Sequence, residues 1–590
     1  MTMTRKTWLM AGLFSMMLIL TLVFSCGDLG KGDDKKEEKG PPPLPTVAAW
    51  PVLSDMASRN YTTGDTPGAL SVKVINASEM GTLSFQWYSN TTLGVSGATP
   101  IEQGVTTNGA ETSITPSAGT GDSFYYVVVT NTDETKDTKT SVRTSNIVRI
   151  RFSSAAAGTP AATITVNTNT KNQYIRGFGG MSSVWTSPEV TNADVDTMFS
   201  PDGLGYNLFR ICIYPYMDDL FNGVEEAPVN APDAHKNYYN MVRQAKKYGA
   251  LILASPWTPP GEWKTNGTRK TGKLKPEHYG DYARHLKDYI ALMAKNGAAI
   301  DYISTQNEPD IAVSYDGCEW TGQEMRDFIS DYGDYIAPSK GTVKLMPGES
   351  FQFRDAYYNP IYNDSAAMAS VGVIGGHIYG DGLRRHSRAI QAGKEVWMTE
   401  HLINTTGNFE IDSQWSKVWE VVKEFHDCMV NDFNGYIWWY SKRFYSLIGD
   451  GEYGTANGVP LFRGYALSHY AKYATGKTRV AATLEPGNAN VFVTAYESDY
   501  DLTLVLINRA SPPGYTSGTD VGQVDISIPF AAKGASMVIT SNGTNAVTNN
   551  DTTLAGVKAM ASDIVVLSAD GKTGSLDLPA SSIVSVRFTK

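Results

Sequence analysis

Cysteine is scarce in this chain, and the few cysteines stand far apart. The four are Cys26, Cys212, Cys318 and Cys428, and they form no C-x-x-C pair and no cluster with histidine. A structural zinc site or a framework of disulfides needs closer spacing than this. The sequence therefore excludes both, and we expect no metal and no other cofactor.

The chain also lacks a block of lysine and arginine. Its formal net charge is −10 over 590 residues, and no basic run marks a face for a phosphate backbone. Nucleic acid is therefore not an expected partner. The length, with 42% hydrophobic residues, is enough to fill several cores, which predicts a folded protein of more than one domain. We expect this protein to be a monomer.

A long apolar run, WLMAGLFSMMLILTLVF, follows Arg5 and Lys6 and ends just before Ser25 and Cys26. This arrangement predicts a secretory signal over residues 1–25. The stretch LVFSC resembles a bacterial lipobox, and the resemblance implies that Cys26 becomes the lipidated first residue of the mature protein. The alternatives are a plain secretory signal and an uncleaved membrane helix, for which the run is long enough.

Residues 26–45 offer little to bury. They are charged and then proline-rich, GDLGKGDDKKEEKGPPPLP, which is the composition of a disordered tether. Acidic residues just after a lipidated cysteine resemble the surface-export signal of Bacteroidetes lipoproteins. The resemblance implies an outer-membrane lipoprotein at the cell surface, attached to the membrane only through its lipid.

Residues 46–153 have the strand and turn spacing of a small β-sandwich. Alternating runs such as GTLSFQWYSN, SFYYVVVTNT and SNIVRIRF are separated by turn residues. The pattern resembles bacterial immunoglobulin-like modules, in which a QWY strand and a YYVVVTN strand pack across the core without a disulfide. We therefore expect Trp87 and Tyr126 on facing strands of a core; the alternative is that these aromatic residues bind sugar. A linker, SSAAAGTP, follows.

From residue 162 to 475, apolar β-rich runs alternate with stretches of helical periodicity. The runs are YIRGFGG, NLFRICI, LILASPW, DYISTQNE, VKLMPGES, VIGGHIYG, EVWMTEH and GYIWWYS. Strands that alternate with helices form a parallel sheet, and eight such units predict an α/β fold, a closed (β/α)8 TIM barrel. Residues 476–590 return to short strands, which predicts a C-terminal β-sandwich side domain. A strand near 162–168 is expected to pair with that domain.

Two glutamates end strands of the predicted barrel. Glu308, in QNEPD, ends the fourth strand, and Glu400, in VWMTEH, ends the seventh. The carboxyl ends of the strands form the active-site face of such a barrel. Two carboxyl groups on one rim are what glycoside hydrolysis requires, because one protonates the leaving oxygen and the other attacks or assists at the anomeric carbon. The alternative is that each is a structural glutamate.

An ordered set of motifs supports this interpretation: IRGFGG, SPWTPPGEWKTNG, QNEPD, VWMTEH and WWYSKRFY. With this set, residues 162–590 resemble glycoside hydrolase family 30, most nearly its glucuronoxylanase branch, subfamily 8. The resemblance implies an endo-acting, retaining β-1,4-xylanase, with Glu308 as general acid/base and Glu400 as nucleophile. Retention predicts carboxyl groups about 5 Å apart.

Four residues on the strands are candidates for supporting roles. Arg210, on the second strand, is expected to keep the nucleophile ionised, with a surface ion pair as the alternative. Asn307 is expected to bind the sugar hydroxyl beside the scissile bond. Tyr379, which ends the sixth strand, is expected to donate to Glu400 or to be a rim aromatic. We interpret His377 as a structural histidine, because no second histidine or cysteine stands at metal spacing, and predict a metal-independent reaction.

Tryptophans follow several of the predicted strands, and sugar rings stack on aromatic faces. We expect Trp257, Trp185 and Trp439 to contribute to substrate binding. Successive side chains of a strand point to opposite sides, so only one of the tandem Trp438 and Trp439 is expected to face the cleft.

The segment SKRFYSL follows the eighth strand. In the glucuronoxylanase branch an Arg-x-Tyr at this place binds the glucuronic acid appendage of xylan, and Arg443 and Tyr445 match it. Family members usually continue with a glycine, where this chain has Ser446 and then the insertion GDGEYGTANGVPLF. The alternative is that Arg443 pairs with a surface carboxylate such as Asp450.

The predicted activity is therefore hydrolysis of glucuronoxylan, with recognition of a glucuronic acid side chain. Arabinoxylan, β-1,6-glucan or another β-glycan are alternative substrates for the same scaffold. A noncatalytic glycan-binding surface lipoprotein is an alternative of another class, which the N-terminal sandwich and tether suit equally well. Paired Glu308 and Glu400 favour the enzyme, because a binding protein does not need both.

Overall fold

The computed structural model describes residues 46–590, with gaps at 103–109, 154–158, 183, 185–189, 217–237, 404–414, 510–517 and 543–557. The signal, Cys26, the tether before residue 46 and Trp185 lie outside the described residues, and what the sequence predicts for them stays a prediction. Within the described ranges, no helix is both long enough and apolar enough to cross a membrane.

The N-terminal β domain packs two sheets against each other. Its strands are β1 (Arg59–Tyr61), β2 (Leu70–Lys73), β3 (Thr82–Asn90), β4 (Thr99–Glu102), β5 (Glu111–Ile114), β6 (Gly121–Thr132), β7 (Thr140–Thr144) and β8 (Val148–Phe152). One sheet has the order β1-β8-β6-β3-β4, with β7 on β6, and the other pairs β2 with β5. Buried Trp87 of β3 joins the two sheets, because its Nε1 donates to Thr112 Oγ1 of β5 over 3.1 Å.

Trp87 and Tyr126 are both buried, but the expectation that they face each other across the core is wrong. Strands β3 and β6 are neighbours in one sheet, with Trp87 opposite Val127 and Tyr88 opposite Tyr126. Because side chains alternate along a strand, Trp87 and Tyr126 point to opposite faces. Tyr126 stacks on Tyr88 at 5.0 Å between ring centroids. Because Trp87 and Tyr126 are buried, little of their ring surface is left to bind sugar. That the domain belongs to the immunoglobulin-like class stays a prediction.

The barrel is built from parallel strands. They are β10 (Gly177–Met181), β11 (Leu208–Ile213), β12 (Leu251–Pro256), β13 (Tyr302–Ser304), β14 (Lys344–Met346), β15 (Glu349–Ser350), β16 (Ile374–His377), β17 (Val396–Glu400) and β18 (Gly435–Trp438). Their order is β14-β13-β12-β11-β10-β18-β17-β16-β15. β14 and β15 are two halves of the fifth strand, parted by Pro347 and Gly348, so eight strands enclose one barrel. This confirms the predicted TIM barrel.

Helices alternate with these strands and cover the barrel. The α-helices are Asn192–Phe199, Tyr238–Lys246, Tyr279–Lys295, Gly322–Ile336, Asp355–Tyr362, Ser365–Ser370, Ser387–Gln391, Trp415–Val430 and Phe462–Ala474. Short 3-10 helices are Ala77–Glu79, Gly261–Trp263 and Pro276–His278. Helix Gly322–Ile336 illustrates the local signals. Thr321 and Glu324 form its capping box, and apolar residues at helical spacing face the barrel.

The C-terminal domain is β-rich, as predicted. Its strands are β9 (Ala162–Tyr174), β19 (Thr478–Glu485), β20 (Val491–Glu497), β21 (Asp501–Asn508), β22 (Gly522–Ser527), β23 (Gly534–Ser541), β24 (Lys558–Asp563), β25 (Val566–Leu567), β26 (Thr573–Leu578) and β27 (Ser582–Thr589). They form one sheet in the order β24-β23-β27-β21-β20-β19-β9-β22-β26-β25. Strand β9, which precedes the barrel, lies in the middle of this sheet, which confirms the pairing expected near 162–168.

Candidate active site

The two glutamates lie at different positions relative to the ends of their strands. Glu400 is the last residue of β17, as predicted. Glu308 lies four residues beyond the end of β13, so the assignment to the strand itself is corrected. Its backbone still follows the barrel ladder, because the Glu308 N–H donates to the Glu349 carbonyl over 2.9 Å. Both side chains are nearly buried, with Glu308 4% and Glu400 6% exposed.

The backbone of Glu308 is strained. Its φ is 47°, in the left-handed region that residues with a side chain seldom adopt. Hydrogen bonds on both sides hold this geometry: the Glu308 N–H bonds to Glu349, and the Trp320 N–H donates to the Pro309 carbonyl over 2.7 Å. Strain of this kind costs on the order of 1–3 kcal/mol and persists where the surroundings fix it, often at functional sites. It directs the Glu308 carboxyl to one position on the rim.

The carboxyl groups of Glu308 and Glu400 converge with the imidazole of His377. One oxygen of each carboxyl and one ring nitrogen all lie within 4.8 Å of one another. Retaining glycosidases hold their two carboxyl groups about 5–5.5 Å apart, whereas inverting enzymes need about 6.5–9.5 Å to admit a water. The closest oxygens of the two carboxyl groups are therefore nearer to each other than the separation of an inverting pair, and retention stays a prediction.

Arg210 of β11 is fully buried beneath the rim, where its guanidinium contacts several polar side chains. Its Nη1 donates to Glu400 Oε2 over 2.6 Å, and its Nη2 donates to Asn307 Oδ1, also over 2.6 Å. Nη2 also lies 3.1 Å from Glu349 Oε2, and Nε donates to Ser255 Oγ over 3.2 Å. The alternative of a surface ion pair is therefore wrong. Arg210 ties the Glu400 carboxylate to the amide of Asn307.

His377, which the sequence analysis treated as structural, lies among the carboxyl groups. Its Nδ1 is 3.1 Å from Glu308 Oε1 and 3.8 Å from Glu400 Oε1. Burial lowers the pKa of His377, but Glu400, Glu308 and Glu349 outweigh this effect and raise it to about 9. The ring is therefore an imidazolium at neutral pH and a second cation in the site.

Glu349 of β15 is a third carboxyl group, which the sequence analysis missed. It is fully buried, and its Oε2 lies 3.8 Å from His377 Nε2 as well as close to Arg210. Burial raises the pKa of Glu349, but the positive charges of Arg210 and His377 lower it to about 2. It is therefore ionised at neutral pH and compensates one of the two cations.

The two cations of the site face three carboxyl groups. Arg210 contacts Glu349 and Glu400, and His377 lies between Glu308, Glu349 and Glu400. Burial raises the pKa of Glu400, while His377 and Arg210 lower it, and the net direction is upward. The attacking carboxylate is thus more basic than an exposed one.

Two tyrosines hold the outer oxygens of the glutamates. Tyr379 lies two residues beyond the end of β16 and does not end the strand as expected, but its hydroxyl donates to Glu400 Oε1 over 3.1 Å, which confirms the predicted contact. Tyr315 donates from its hydroxyl to Glu308 Oε2. Tyr315 is 38% exposed and stands at the mouth of the site. Nothing in its loop sequence distinguishes it, and only the folded chain shows that it contacts the acid.

The rim tryptophans divide into supporting and accessible residues. Trp257 is 3% exposed, with the Arg210 guanidinium 4.8 Å from its ring, so it mainly supports that arginine. Trp439 lies next to it, with centroids 6.0 Å apart, and is 9% exposed, whereas Trp438 is fully buried. Of the tandem pair, Trp439 keeps some exposed surface and Trp438 keeps none, and that Trp439 faces the cleft stays a prediction.

Arg443 and Tyr445 lie in a compact loop after β18. The Arg443 N–H donates to the Ile448 carbonyl over 3.0 Å, and its guanidinium lies 5.3 Å from the Tyr440 ring. Tyr445 is buried against Phe444, with ring centroids 4.8 Å apart. Asp450 accepts bonds from the Glu452 N–H and the Thr455 hydroxyl of its own loop. The role of Arg443 and Tyr445 in substrate binding stays a prediction.

The converging groups could in principle hold a cation, because Glu308, His377 and Glu400 each offer a ligand atom. A metal ligand must be a neutral imidazole, however, so a cation would have to displace a proton from His377, whose pKa the neighbouring carboxylates raise to about 9. Arg210 adds a positive charge directly on Glu400. The arrangement suits proton transfer and nucleophilic attack better than cation binding; metal independence stays a prediction.

Comparison with known proteins agrees with this geometry. The profile of the glycosyl hydrolase family 30 TIM-barrel domain matches residues 179–447. The glucuronoxylanase XynC of Bacillus subtilis (strain 168) is 32% identical over 408 residues, which cover 67% of this chain and 88% of XynC.

Solved structures of xylanases resemble the barrel and the C-terminal domain. The family 30 subfamily 8 xylanase Xyn30A from Clostridium acetobutylicum superposes with a TM-score of 0.60 at 28% identity, over 72% of this chain and 100% of that one. The family 30 endoxylanase from Clostridium papyrosolvens C71 gives 0.58 at 27% identity, over the same shares. On this identity and coverage, the chain is a glycoside hydrolase and belongs to glycosyl hydrolase family 30.

Proposed function

We propose that the protein is an endo-acting β-1,4-xylanase that cleaves glucuronoxylan with retention of configuration. The observation that carries the proposal is the pair Glu308 and Glu400, buried on one rim with carboxyl oxygens within 4.8 Å. The similarity to XynC and to the clostridial xylanases supports xylan as the substrate class.

In the first step, Glu400 attacks the anomeric carbon through one carboxylate oxygen, while Glu308 gives its proton to the departing glycosidic oxygen. The bond to the leaving sugar breaks, and a glycosyl ester on Glu400 forms. In the second step, Glu308, now ionised, takes a proton from water as the water attacks the same carbon. The ester breaks, the sugar is released, and both glutamates return to their starting states.

The residues that contact Glu308 and Glu400 suit these two reaction steps. Arg210 and Tyr379 donate to the two oxygens of Glu400 and hold it for attack. Asn307 accepts from Arg210 through Oδ1, which leaves its NH2 group to donate to a sugar hydroxyl. His377 and Tyr315 contact the two oxygens of Glu308, so the acid is positioned from both sides.

Xylan release by the unaltered protein and by Glu400→Gln tests the activity. We expect reducing sugar from glucuronoxylan with the former and a loss of at least about a thousandfold with the latter. Arabinoxylan and β-1,6-glucan, assayed in parallel, separate the alternative substrates. Stoichiometric binding of xylan without turnover by the unaltered protein would instead establish a noncatalytic glycan-binding protein.

For the glucuronic acid side chain, we propose Arg443 as the recognising group, assisted by Tyr445. A guanidinium meets a carboxylate with two parallel donors, and such a contact contributes roughly 1.5–3 kcal/mol before screening. Arg443→Ala should therefore lower kcat/KM about 10- to 100-fold on glucuronoxylan and little on carboxyl-reduced xylan. Equal loss on both substrates would reject this role.

We also propose that the protein is exported as a lipoprotein to the outer membrane and displayed at the cell surface. The support is the apolar run before LVFSC and the acidic segment after Cys26. Cys26→Ser should release soluble protein of unchanged specific activity. A variant that still sediments with membranes would contradict lipid attachment at Cys26.

A further inference from the structure

A pocket of about 330 Å³ lies at the amino-terminal end of the barrel, away from the catalytic rim. Lys394 and Asn434, which line it, stand just before β17 and β18, while Lys171 and Gln173 reach it from β9. Glu400 is at the opposite end of β17. A strand of five residues is about 16 Å long, so the pocket is separate from the active site.

Two of the three neutral polar side chains in the lining of this pocket, Gln173 and Asn434, already have partners within the protein. Gln173 Nε2 donates to the Met429 carbonyl over 2.6 Å and to the Phe433 carbonyl over 3.1 Å. Asn434 donates to the Tyr174 carbonyl and accepts from the Val396 N–H, both over 2.8 Å. These contacts fix the wall of the pocket, whereas Asn172, which also lines it, makes no side-chain hydrogen bond within the described residues.

The one carboxylate that lines the pocket, Asp432, is also fully engaged. Its Oδ2 accepts from Arg385 Nε over 2.5 Å, and its Oδ1 accepts from Arg479 Nη2 over 2.8 Å. Asp432 therefore orients Arg385 through a single nitrogen. In the described part of the chain, the two terminal nitrogens of Arg385 make no hydrogen bond, and the side chain is 56% exposed.

Of the two lysines in the lining, Lys171 adds positive charge to the pocket. Lys171 is exposed, and its ammonium has no hydrogen-bond or ion-pair partner within the described ranges. Lys394 is half-buried, and its ammonium donates over 2.5 Å to the carbonyl of Val371, which lines a neighbouring pocket and not this one. Burial lowers the pKa of Lys394, and the nearby ammonium of Lys344 lowers it further. Lys171 and the part of Arg385 that Asp432 does not contact thus leave positive charge at a pocket whose lining holds one carboxylate, already paired, in a chain of net charge −10.

We propose that this pocket is a second glycan site, which binds the carboxylate of a uronic acid sugar. The terminal nitrogens of Arg385 present the planar fork that meets a carboxylate in two bonds, and Lys171 adds a point charge beside it. Ile390, also in the lining, offers an apolar surface to the C–H groups of a sugar ring. The volume exceeds what a bare inorganic anion needs.

The choice of a uronic acid rests on the proposed function, since the expected substrate carries glucuronic acid. A second contact on the far side of the barrel would hold the enzyme to acidic xylan while the cleft engages a chain. Linked contacts of this kind raise apparent affinity without changing the chemistry at the cleft. Loss of the pocket should therefore weaken adsorption to insoluble glucuronoxylan and leave turnover of a small aryl xyloside unchanged.

Calorimetric titration of glucuronic acid into the full chain tests the site. Arg443→Ala serves as the background, because it removes the arginine proposed to bind the same sugar at the cleft. On that background, Lys171→Gln and Arg385→Gln should each weaken binding about three- to tenfold. Lys533→Gln, an exposed lysine of the C-terminal domain, is the matched control and should bind as the background does.

Each outcome decides between named possibilities. Binding of glucuronic acid that Lys171→Gln leaves unchanged, or no binding at all, would overturn the pocket. Inorganic sulfate that binds as tightly as glucuronic acid would show an adventitious ion only. If glucuronic acid binding depends on Lys171 but the protein does not cleave xylan, the proposed function is rejected and the pocket proposal stands. If the protein cleaves xylan but shows no such binding, the pocket proposal is rejected and the proposed function stands.

Discussion

Arg210 and Glu400 form an ion pair beneath the catalytic rim, with Arg210 Nη1 2.6 Å from Glu400 Oε2. Removing both charges from water is costly, and the cost is offset only if every remaining donor and acceptor is bonded. Arg210 meets this condition through Asn307, Ser255 and Glu349. The pair therefore fixes the carboxylate that attacks and links it to the residue next to the acid.

Arg210→Lys should lower kcat/KM on an aryl xyloside by at least about a hundredfold, because one ammonium cannot hold Glu400 and Asn307 at once. Arg210→Met should also destabilise the fold by about 3–5 kcal/mol, since it leaves buried carboxylates unpaired. Steady-state kinetics and denaturant unfolding measure the two effects. Arg388→Lys, on the surface, is the control. Unchanged kinetics in Arg210→Met would contradict the role given to this pair.

The pH profile of kcat/KM should be bell-shaped, with an acidic limb above the ordinary glutamate value of 4.5. Burial raises the pKa of Glu400, and only the ionised form attacks, so activity is lost as the pH falls through this raised pKa. Tyr379→Phe removes a donor to the carboxylate and should move the acidic limb to still higher pH. An acidic limb below 4.5, or one that Tyr379→Phe shifts downward, would contradict this assignment.

Glu308→Gln should affect substrates according to their leaving groups. Xylan needs a proton on the departing oxygen and should lose at least about a hundredfold in kcat/KM, whereas formation of the glycosyl ester from a dinitrophenyl xyloside should hardly slow. Burst kinetics on the aryl substrate measure that step directly. Similar losses on both substrates would show that Glu308 is not the acid.

Dialysis against a chelator should leave activity unchanged, because the protonated ring of His377 and the charge of Arg210 oppose a cation among the three candidate ligands. The assay compares kcat/KM before and after dialysis, with added zinc as a second arm. Added zinc is expected to inhibit, because binding at His377 displaces its proton. Activity that disappears with the chelator and returns with a divalent ion would contradict metal independence.

The rule that active residues end barrel strands was sufficient to identify Glu308 and Glu400 and to suggest the Tyr379 contact. The rule also applies to His377, the last residue of β16, which we interpreted as structural because no second histidine or cysteine stands at metal spacing. Glu349 was missed, because a single polar residue in a buried strand leaves no periodic signal. Its importance appears only where it meets Arg210 and His377 in space. Tyr315 was hidden for another reason, since the fold of its loop, not its sequence neighbours, brings the hydroxyl to Glu308.

The N-terminal domain shows the limit of pattern reasoning in another way. Alternation correctly predicted that Trp87 and Tyr126 are buried, but not that their strands are hydrogen-bonded neighbours. Register within one sheet depends on which strands pair, and period-two patterns are compatible with many pairings. The sequence therefore predicted which side chains of each strand are buried, but not which strands pair with each other.

Proton NMR of the sugar released in the first minutes of xylan hydrolysis tests the central claim most directly. The spacing of Glu308 and Glu400 predicts double displacement at the anomeric carbon, so the β-anomer of the new reducing end should appear first and then mutarotate toward equilibrium. Initial release of the α-anomer would show inversion, and would contradict the assignment of Glu400 as a nucleophile held within 4.8 Å of the acid.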